Sequence, residues 1–499
     1  MNAVTWAVAG YLVLQFAIGI WASRWIENET DYLVAGRSLG MALATFSIFA
    51  TWFGAETVVG SAGATYEDGV SLTTAEPFGY GLCLVLMGAV FAVPLWKRGL
   101  TTLADLFRQR YGTSVERAAA LILIPGSILW AAAQVRAFGQ VLSSVTVGLD
   151  VDLAIGIAAG VTIVYTVLGG LLADAVTDLI QGVVVTLGLI AVLVAVSVHL
   201  GGAGPTAAVI VDSGRIHLGV VGSGAGGAGG AGSIMATLEE WAIPICGSVV
   251  ATELVGRVIA TKSPEVARGS SLLAGGLYIV VGLVPVTIGL LGVSVVPGLT
   301  EAEQVIPVVA RELLLTALFA LFAGSLISAI LSTVDSTLLI ASGLLSHNVI
   351  VPLTGTTEEG RKVFLARGGV VVFGIFAYIL ALRAQGVLAL VEQASAFGSA
   401  GTLVTVVFAL FTPLGDTRTA LATLGVGMVS YLVASYGGYP YPFLLSLGLS
   451  LVTYLAGAVL GRLVPEESLK EPLRHRSKGR TGPAGRAREP SGRARWWNS

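Results

Sequence analysis

Apolar runs as long as a bilayer is thick recur along nearly the whole chain, and no other feature limits its fold so much. Crossing roughly 30 Å of hydrocarbon takes about 20 largely apolar residues in a helix. Such runs lie near 3–25, 40–65, 74–96, 117–146, 152–170, 174–199, 233–257, 270–293, 312–345, 363–383, 386–411, 419–435 and 440–463. In lipid each backbone amide and carbonyl must be satisfied within its own segment, so these read as helices. The expectation is an all-α polytopic membrane protein with about 13 transmembrane helices. A chain that is 55% hydrophobic and only 12% charged has too little charge to cover a soluble surface. The first run lacks a basic flank and a small-residue cleavage site, and is expected to stay in the mature protein.

Charge placement suggests the orientation. With the C-terminus in the cytoplasm, the inside loops collect Arg24, Arg37, Lys97, Arg98, Arg108, Arg110, Arg117, Arg257, Lys262, Arg268, Arg361, Lys362, Arg367 and Arg418. Outside remain Arg215, Arg311 and Arg383. By the positive-inside rule and an odd helix count, the N-terminus is outside. The stretch "GVVGSGAGGAGGAGS" (219–233) follows no strand, so it reads as a flexible external linker and not a phosphate loop. The Arg-, Gly- and Pro-rich tail at 465–499 reads as a disordered cytoplasmic segment whose charge marks the inner face, with no nucleic-acid partner. Cys83 and Cys246 sit in apolar runs and imply no disulfide framework.

Two helices break where lipid would not tolerate it. Gly54 interrupts "ATWFGAET" (50–57), and Pro244 and Gly247 interrupt "PICG" (244–247), five helices later. Exposed backbone at membrane depth is allowed only where it lines a cavity. Taken as two five-helix units, residues 40–200 and 233–412 have opposite orientations and carry their broken helix at the same position. This is the mark of an inverted-repeat transporter with a site near the midplane. The remaining segments are an N-terminal helix and linker (1–39), a Gly-rich external loop (201–232), two peripheral helices (413–464) and the tail.

Within the ninth run, Ser325, Ser328, Ser332 and Ser336 recur at helical spacing, flanked by Thr333 and Asp335. Small hydroxyl residues also serve close helix packing. An intramembrane acid, however, is costly and marks an ion or substrate path. Oxygen donors without sulfur or imidazole suit a hard cation.

These residues resemble the sodium:solute symporters over the stretch from about Asp31 to Arg462. "DYLVAGRSLG" (31–40), "YTVLGGLLADAVTDLIQ" (165–181) and "ILSTVDS" (330–336) carry the likeness. The resemblance implies a LeuT-type 5+5 inverted repeat with one extra N-terminal and two extra C-terminal helices, in the cell membrane. It also implies sodium as the co-transported ion, held by backbone carbonyls of Ala50, Phe53 and Ala329 and by hydroxyls of Ser332 and Thr333. Members with a second sodium bind it through an acid matched here by Asp178 and a hydroxyl matched by Ser336. Asp335 falls where they carry Ser, so it joins the possible second-cation group.

The ionisable groups within reach of a central cavity are Glu56, Glu76, Arg136 and Glu392. By resemblance, Glu76 and Glu392 lie at or beside substrate positions of sugar carriers. The Asn and Tyr of those carriers are replaced by Pro244 and Gly247, which counts against a sugar. Arg136 lies where sialic-acid carriers meet a carboxylate, which a guanidinium grips in two-pronged fashion. A small carboxylate or amino acid is the favoured solute, and the competing reading of Arg136 is an internal pair with Glu56 or Glu76. Trp52 and Phe53 flank the first break and could stack on a solute or gate it. Proton coupling and a channel-like facilitator remain as alternatives. An enzyme is not expected: the chain has no HExxH, P-loop or nucleophile elbow, and His199, His217, His347 and His475 are scattered.

Overall fold

A computed structural model of the chain describes residues 29–146, 148–168, 171–217 and 231–463, with single positions 6, 10, 13 and 17. Most of the expected span 3–25, most of the Gly-rich linker and the tail lie outside the described residues. Among these residues, ten helices are long and apolar enough to cross a membrane, and twelve if each of two bent pairs forms one span. The expected total of about 13 is therefore not reached within them.

The spans are α1 (Met41–Trp52 with Glu56–Asp68), α2 (Phe78–Lys97), α3 (Thr113–Val145), α4 (Val151–Leu168), α5 (Leu171–His199) and α6 (Ile234–Ile259). They continue with α7 (Pro264–Val295), α8 (Thr316–Leu345), α9 (Glu359–Arg383), α10 (Val387–Ala396 with Ser399–Phe411), α11 (Thr417–Tyr436) and α12 (Pro442–Leu463). Local chemistry sets several boundaries. Ser263 caps α7 by accepting from the Val266 amide at 3.2 Å, with Pro264 in the first turn, and Asp416 caps α11 through the Thr419 amide at 2.8 Å.

Helices α1, α2 and α7 pack on one another, and α3, α4, α8 and α9 form a second group; α5 lies against α1, α7 and α8, and α10 against α3. Four helices of α1–α5 pack directly on their repeat counterparts: α1 on α6, α2 on α7, α3 on α8 and α4 on α9. Small residues permit these approaches. At the α2–α7 crossing a Cβ on Gly81 would sit 2.3 Å from Ile279 Cγ1, and one on Gly275 would sit 2.9 Å from the Gly81 carbonyl.

The ends of the bundle differ. Lys97, Arg98, Arg108, Arg110 and Lys262 share the end where α2 and α6 finish and α3 and α7 begin. There Asp105 binds the amides of Thr101 and Thr102 (2.7 and 3.1 Å), the Asn348 amide (3.1 Å) and the Arg108 guanidinium (3.3 Å). His347 bridges Asp105 (3.4 Å) and Glu29 (3.0 Å), joining the end of α8 to the segment before α1. At the opposite end Val70 and Ser71 pair in parallel with Ile216 and His217, tying the α1–α2 connector to the α5–α6 connector.

Candidate functional site

Both foreseen breaks are present. Helix α1 stops at Trp52 and resumes at Glu56, with its halves bent by 48°. Buried Glu56 holds the gap: its carboxylate accepts the Gly54 amide at 3.3 Å and the Gln134 side chain at 2.8 Å, while Gln134 Oε1 accepts the Ala55 amide at 3.0 Å. The freed donors of the break are thus satisfied by an acid and an amide. Helix α6 leaves regular geometry at Ile243–Gly247 and resumes at Thr252–Ile259. A third bend, of 41°, divides α10 at Phe397–Gly398, where Gly398 has φ +68°.

The hydroxyl stripe of α8 faces the α1 break. Thr333 Oγ1 donates toward the Ala50 carbonyl (3.2 Å) and shares the Ala329 carbonyl (3.3 Å), and Ser332 donates to Asp178. Phe53 ends the first half of α1 with φ −89° and ψ 60°, and a Cβ on neighbouring Gly54 would lie 3.0 Å from Thr333 Oγ1. The Ala50 carbonyl of α1 and the Ala329 carbonyl of α8 therefore meet at the Thr333 hydroxyl, while the Ser332 hydroxyl turns to Asp178 on α5.

The group read as a possible second cation site contains a cation that the chain itself supplies. Arg257, placed with the loop cations from sequence, is fully buried on the second half of α6. Its Nη2 lies 3.5 Å from Asp178 Oδ2 and bonds Ser336, and its Nε donates to Thr51 Oγ1 at 3.0 Å. Ser47 Oγ completes the cluster, 2.7 Å from Asp178. The reason for the misplacement is local: the cap at Ser263–Pro264 starts the next helix, so the connector falls at 260–263 and Arg257 stays one turn inside. Asp335 is fully buried on the same turn of α8 as Ser336.

Toward the opposite end lies a chamber of about 640 Å³. Asp68, Glu76, Glu240 and Glu392 line it, with His217 and, among the described residues, no Lys or Arg. Of the aromatic residues Tyr80 lines it, and two further rings pack behind Tyr80: Trp52 and Tyr80 are 5.2 Å apart, Trp52 and Trp130 4.7 Å at 88°, and Tyr80 and Trp130 5.9 Å at 77°. Tyr80 lines the chamber and bonds Ser395 Oγ at 2.9 Å; Glu76 accepts from Tyr278 at 2.9 Å.

Of the expected solute residues, Glu76 and Glu392 line the chamber, Trp52 packs behind Tyr80 without lining it, and Glu56 lies in the break instead. Arg136 is elsewhere. It pairs with Glu303 at 3.7 Å and donates to the Ala381 carbonyl at 3.4 Å, so neither Glu56 nor Glu76 is its partner. Sequence reasoning passed over Tyr80 and Trp130, whose signal as single aromatics in apolar runs is weak, and over Asp68 and Glu240 at helix ends.

The profile of the sodium:solute symporter family matches residues 32–427. The chain belongs to this family. Similar proteins include the high affinity choline transporter 1 of Homo sapiens, 28% identical over 88% of this chain and 77% of that one. The sodium/pantothenate symporter of Escherichia coli K12 is 25% identical over 93% of this chain and 97% of that one. A solved Na+-coupled sialic acid symporter, in its substrate-bound outward-open state, superposes with TM-score 0.78 at 17% identity, covering 93% of this chain and 98% of that one. The fold is thus of the LeuT type. This symporter is a multi-pass membrane transporter and not an enzyme, and sodium is its co-transported ion.

Proposed function

We propose that this symporter imports a small organic cation of the quaternary ammonium class, with choline the first candidate, by sodium-driven alternating access at the cell membrane. The observation that carries this is the chamber: among the described residues four carboxylates and no Lys or Arg line it, together with the ring of Tyr80, which packs on Trp52 and Trp130. An onium group has no hydrogen to donate and is recognised by ring faces, worth about 0.5–2 kcal/mol each, in a field of negative charge. Similarity to choline transporters over 88% of the chain supports the same class. The carboxylate reading depended on Arg136, which is committed to Glu303.

In this reading sodium sits between the carbonyls of Ala50, Phe53 and Ala329 and the hydroxyls of Ser332 and Thr333, joining the α1 break to α8. Each inward charge gains about 2.3 kcal/mol per 100 mV, which drives the solute uphill. Coupling follows if ion and solute prefer the same conformation. The basic end of the bundle faces the cytoplasm and the chamber opens outside, as the positive-inside rule directs.

The test is uptake into proteoliposomes. Radiolabelled choline accumulates under an inward sodium gradient, potassium does not replace sodium, and pantothenate or pyruvate does not compete. Competition by a monocarboxylate in place of choline overturns the solute class. Accumulation that survives Ser332→Ala with Thr333→Ala overturns the ion cradle.

A further inference from the structure

A second, smaller cavity lies beyond these rings, where the α6 break meets α3 and α10. We propose that it is a second alkali-cation site, with Glu253 as its carboxylate and the hydroxyls of Ser127, Ser248 and Thr252 around it.

The cavity measures about 40 Å³, and these four residues line it together with Ser395 and Ser399 of α10. Glu253 is 7% exposed and its Oε1 accepts from Ser127 Oγ at 2.5 Å. Among the described residues it forms no ion pair. Arg257, one turn further along, is engaged by Asp178, Ser336 and Thr51. Ser248 supplies the second, independent observation: its hydroxyl is fully buried and has no hydrogen-bond partner among the described residues. A buried hydroxyl left in that state costs about 1–3 kcal/mol, which a bound ligand recovers.

The fold gives the cavity a counterpart. The proposed sodium cradle joins the α1 break to α8, and α5 borders it through the Ser332–Asp178 hydrogen bond. Under the repeat relation α1 corresponds to α6, α8 to α3 and α5 to α10, and those three elements enclose Glu253. Close approach is built in, since a Cβ on Gly247 would stand 2.4 Å from the Ser395 carbonyl. The two places differ in one respect. Asp178, which borders the first, has the Arg257 guanidinium 3.5 Å away, whereas Glu253 has no ion pair among the described residues.

The ligand class follows from the donors and the room. Oxygen donors with a single carboxylate suit a monovalent alkali ion, and divalent ions call for more negative charge and more ligands. A water needs about 10–15 Å³ on the same measure, so the cavity holds a bare ion and a water or two, not an organic solute. The site stands whichever solute is carried.

Equilibrium dialysis of the purified full-length chain with radioactive sodium, in the absence of solute, decides it. The wild-type chain is expected to bind two ions. Glu253→Gln binds one, and Ser332→Ala with Thr333→Ala also binds one. Adding Ser248→Ala to the latter pair weakens the remaining ion roughly tenfold, a change that retains a small uncharged residue and so reads the site even if Glu253→Gln fails to fold. Two ions bound by Glu253→Gln overturn the proposal, as does a remaining ion indifferent to Ser248→Ala.

Discussion

Arg257 crosses from the second half of α6 to Asp178 on α5, 3.5 Å from Oδ2, with both side chains fully buried. Two charges taken out of water recover their desolvation only through each other and through further hydrogen bonds, here from Ser47, Thr51 and Ser336. The pair joins the broken helix α6 to the helix that also touches the α8 hydroxyls.

Removing one partner strands the other charge. Arg257→Met is expected to destabilise the protein by about 3–5 kcal/mol, and Asp178→Asn in the same chain to restore most of the loss. Thermal unfolding of the single and double variants in detergent measures this; equal melting temperatures for all three would show that the pair carries no strain of this kind.

The Tyr80 ring predicts a selective effect on the solute. Tyr80→Ala, which removes the ring that lines the chamber, raises the half-saturating choline concentration about 30-fold, equivalent to about 2 kcal/mol, and changes the half-saturating sodium concentration much less. Uptake kinetics at fixed and varied sodium separate the two.

Arg136 is expected to matter for stability and not for recognition. Arg136→Gln leaves Glu303 without its partner and costs about 1–2 kcal/mol, yet solute affinity changes less than about twofold. A large loss of affinity with an unchanged melting temperature would restore the guanidinium to the substrate site.

At the basic end, Asp105 lies outside the spans. Although burial pushes the other way, His347 and the amides of Thr101 and Thr102 lower its carboxyl to about 2. A group depressed in the folded state stabilises it above the group's ordinary value, and that contribution disappears as pH falls through the folded value. Asp105→Asn therefore lowers the melting temperature at pH 7, by about 2 kcal/mol in stability, and the gap from wild type narrows below about pH 4. Melting curves across that range check the sign.

Periodicity and length carried the spans because lipid leaves the backbone no alternative: each of the twelve described spans begins and ends within a few residues of its apolar run. The breaks were readable for the same reason, since Gly54, Pro244 and Gly247 are out of place in a helix that must satisfy its own backbone. That α8 turns Ser332 and its neighbour Thr333 toward other helices was legible in the hydroxyl stripe, and both bond across to α5 and α1. What did not show in the residues was pairing across distance. Arg257 and Asp178 are 79 positions apart, and Arg136 and Glu303 are 167 apart; a one-dimensional reading counts such charges by their nearest helix end or by the cavity they could reach. The chamber's charge was hidden likewise, because Asp68 and Glu240 become neighbours of Glu76 and Glu392 only once α1, α6 and α10 are folded together.

The hydrogen bond from Tyr80 to Ser395 has one more consequence. Tyr80 belongs to the upper compartment and Ser395 to the lower, so this single contact is a shared wall between them. One residue of each space thus reaches across to the other, and the bond between them spans the layer of rings that lies between the two. The two compartments are thereby interlocked, and disturbance in one is felt at the other within the reach of a single hydroxyl.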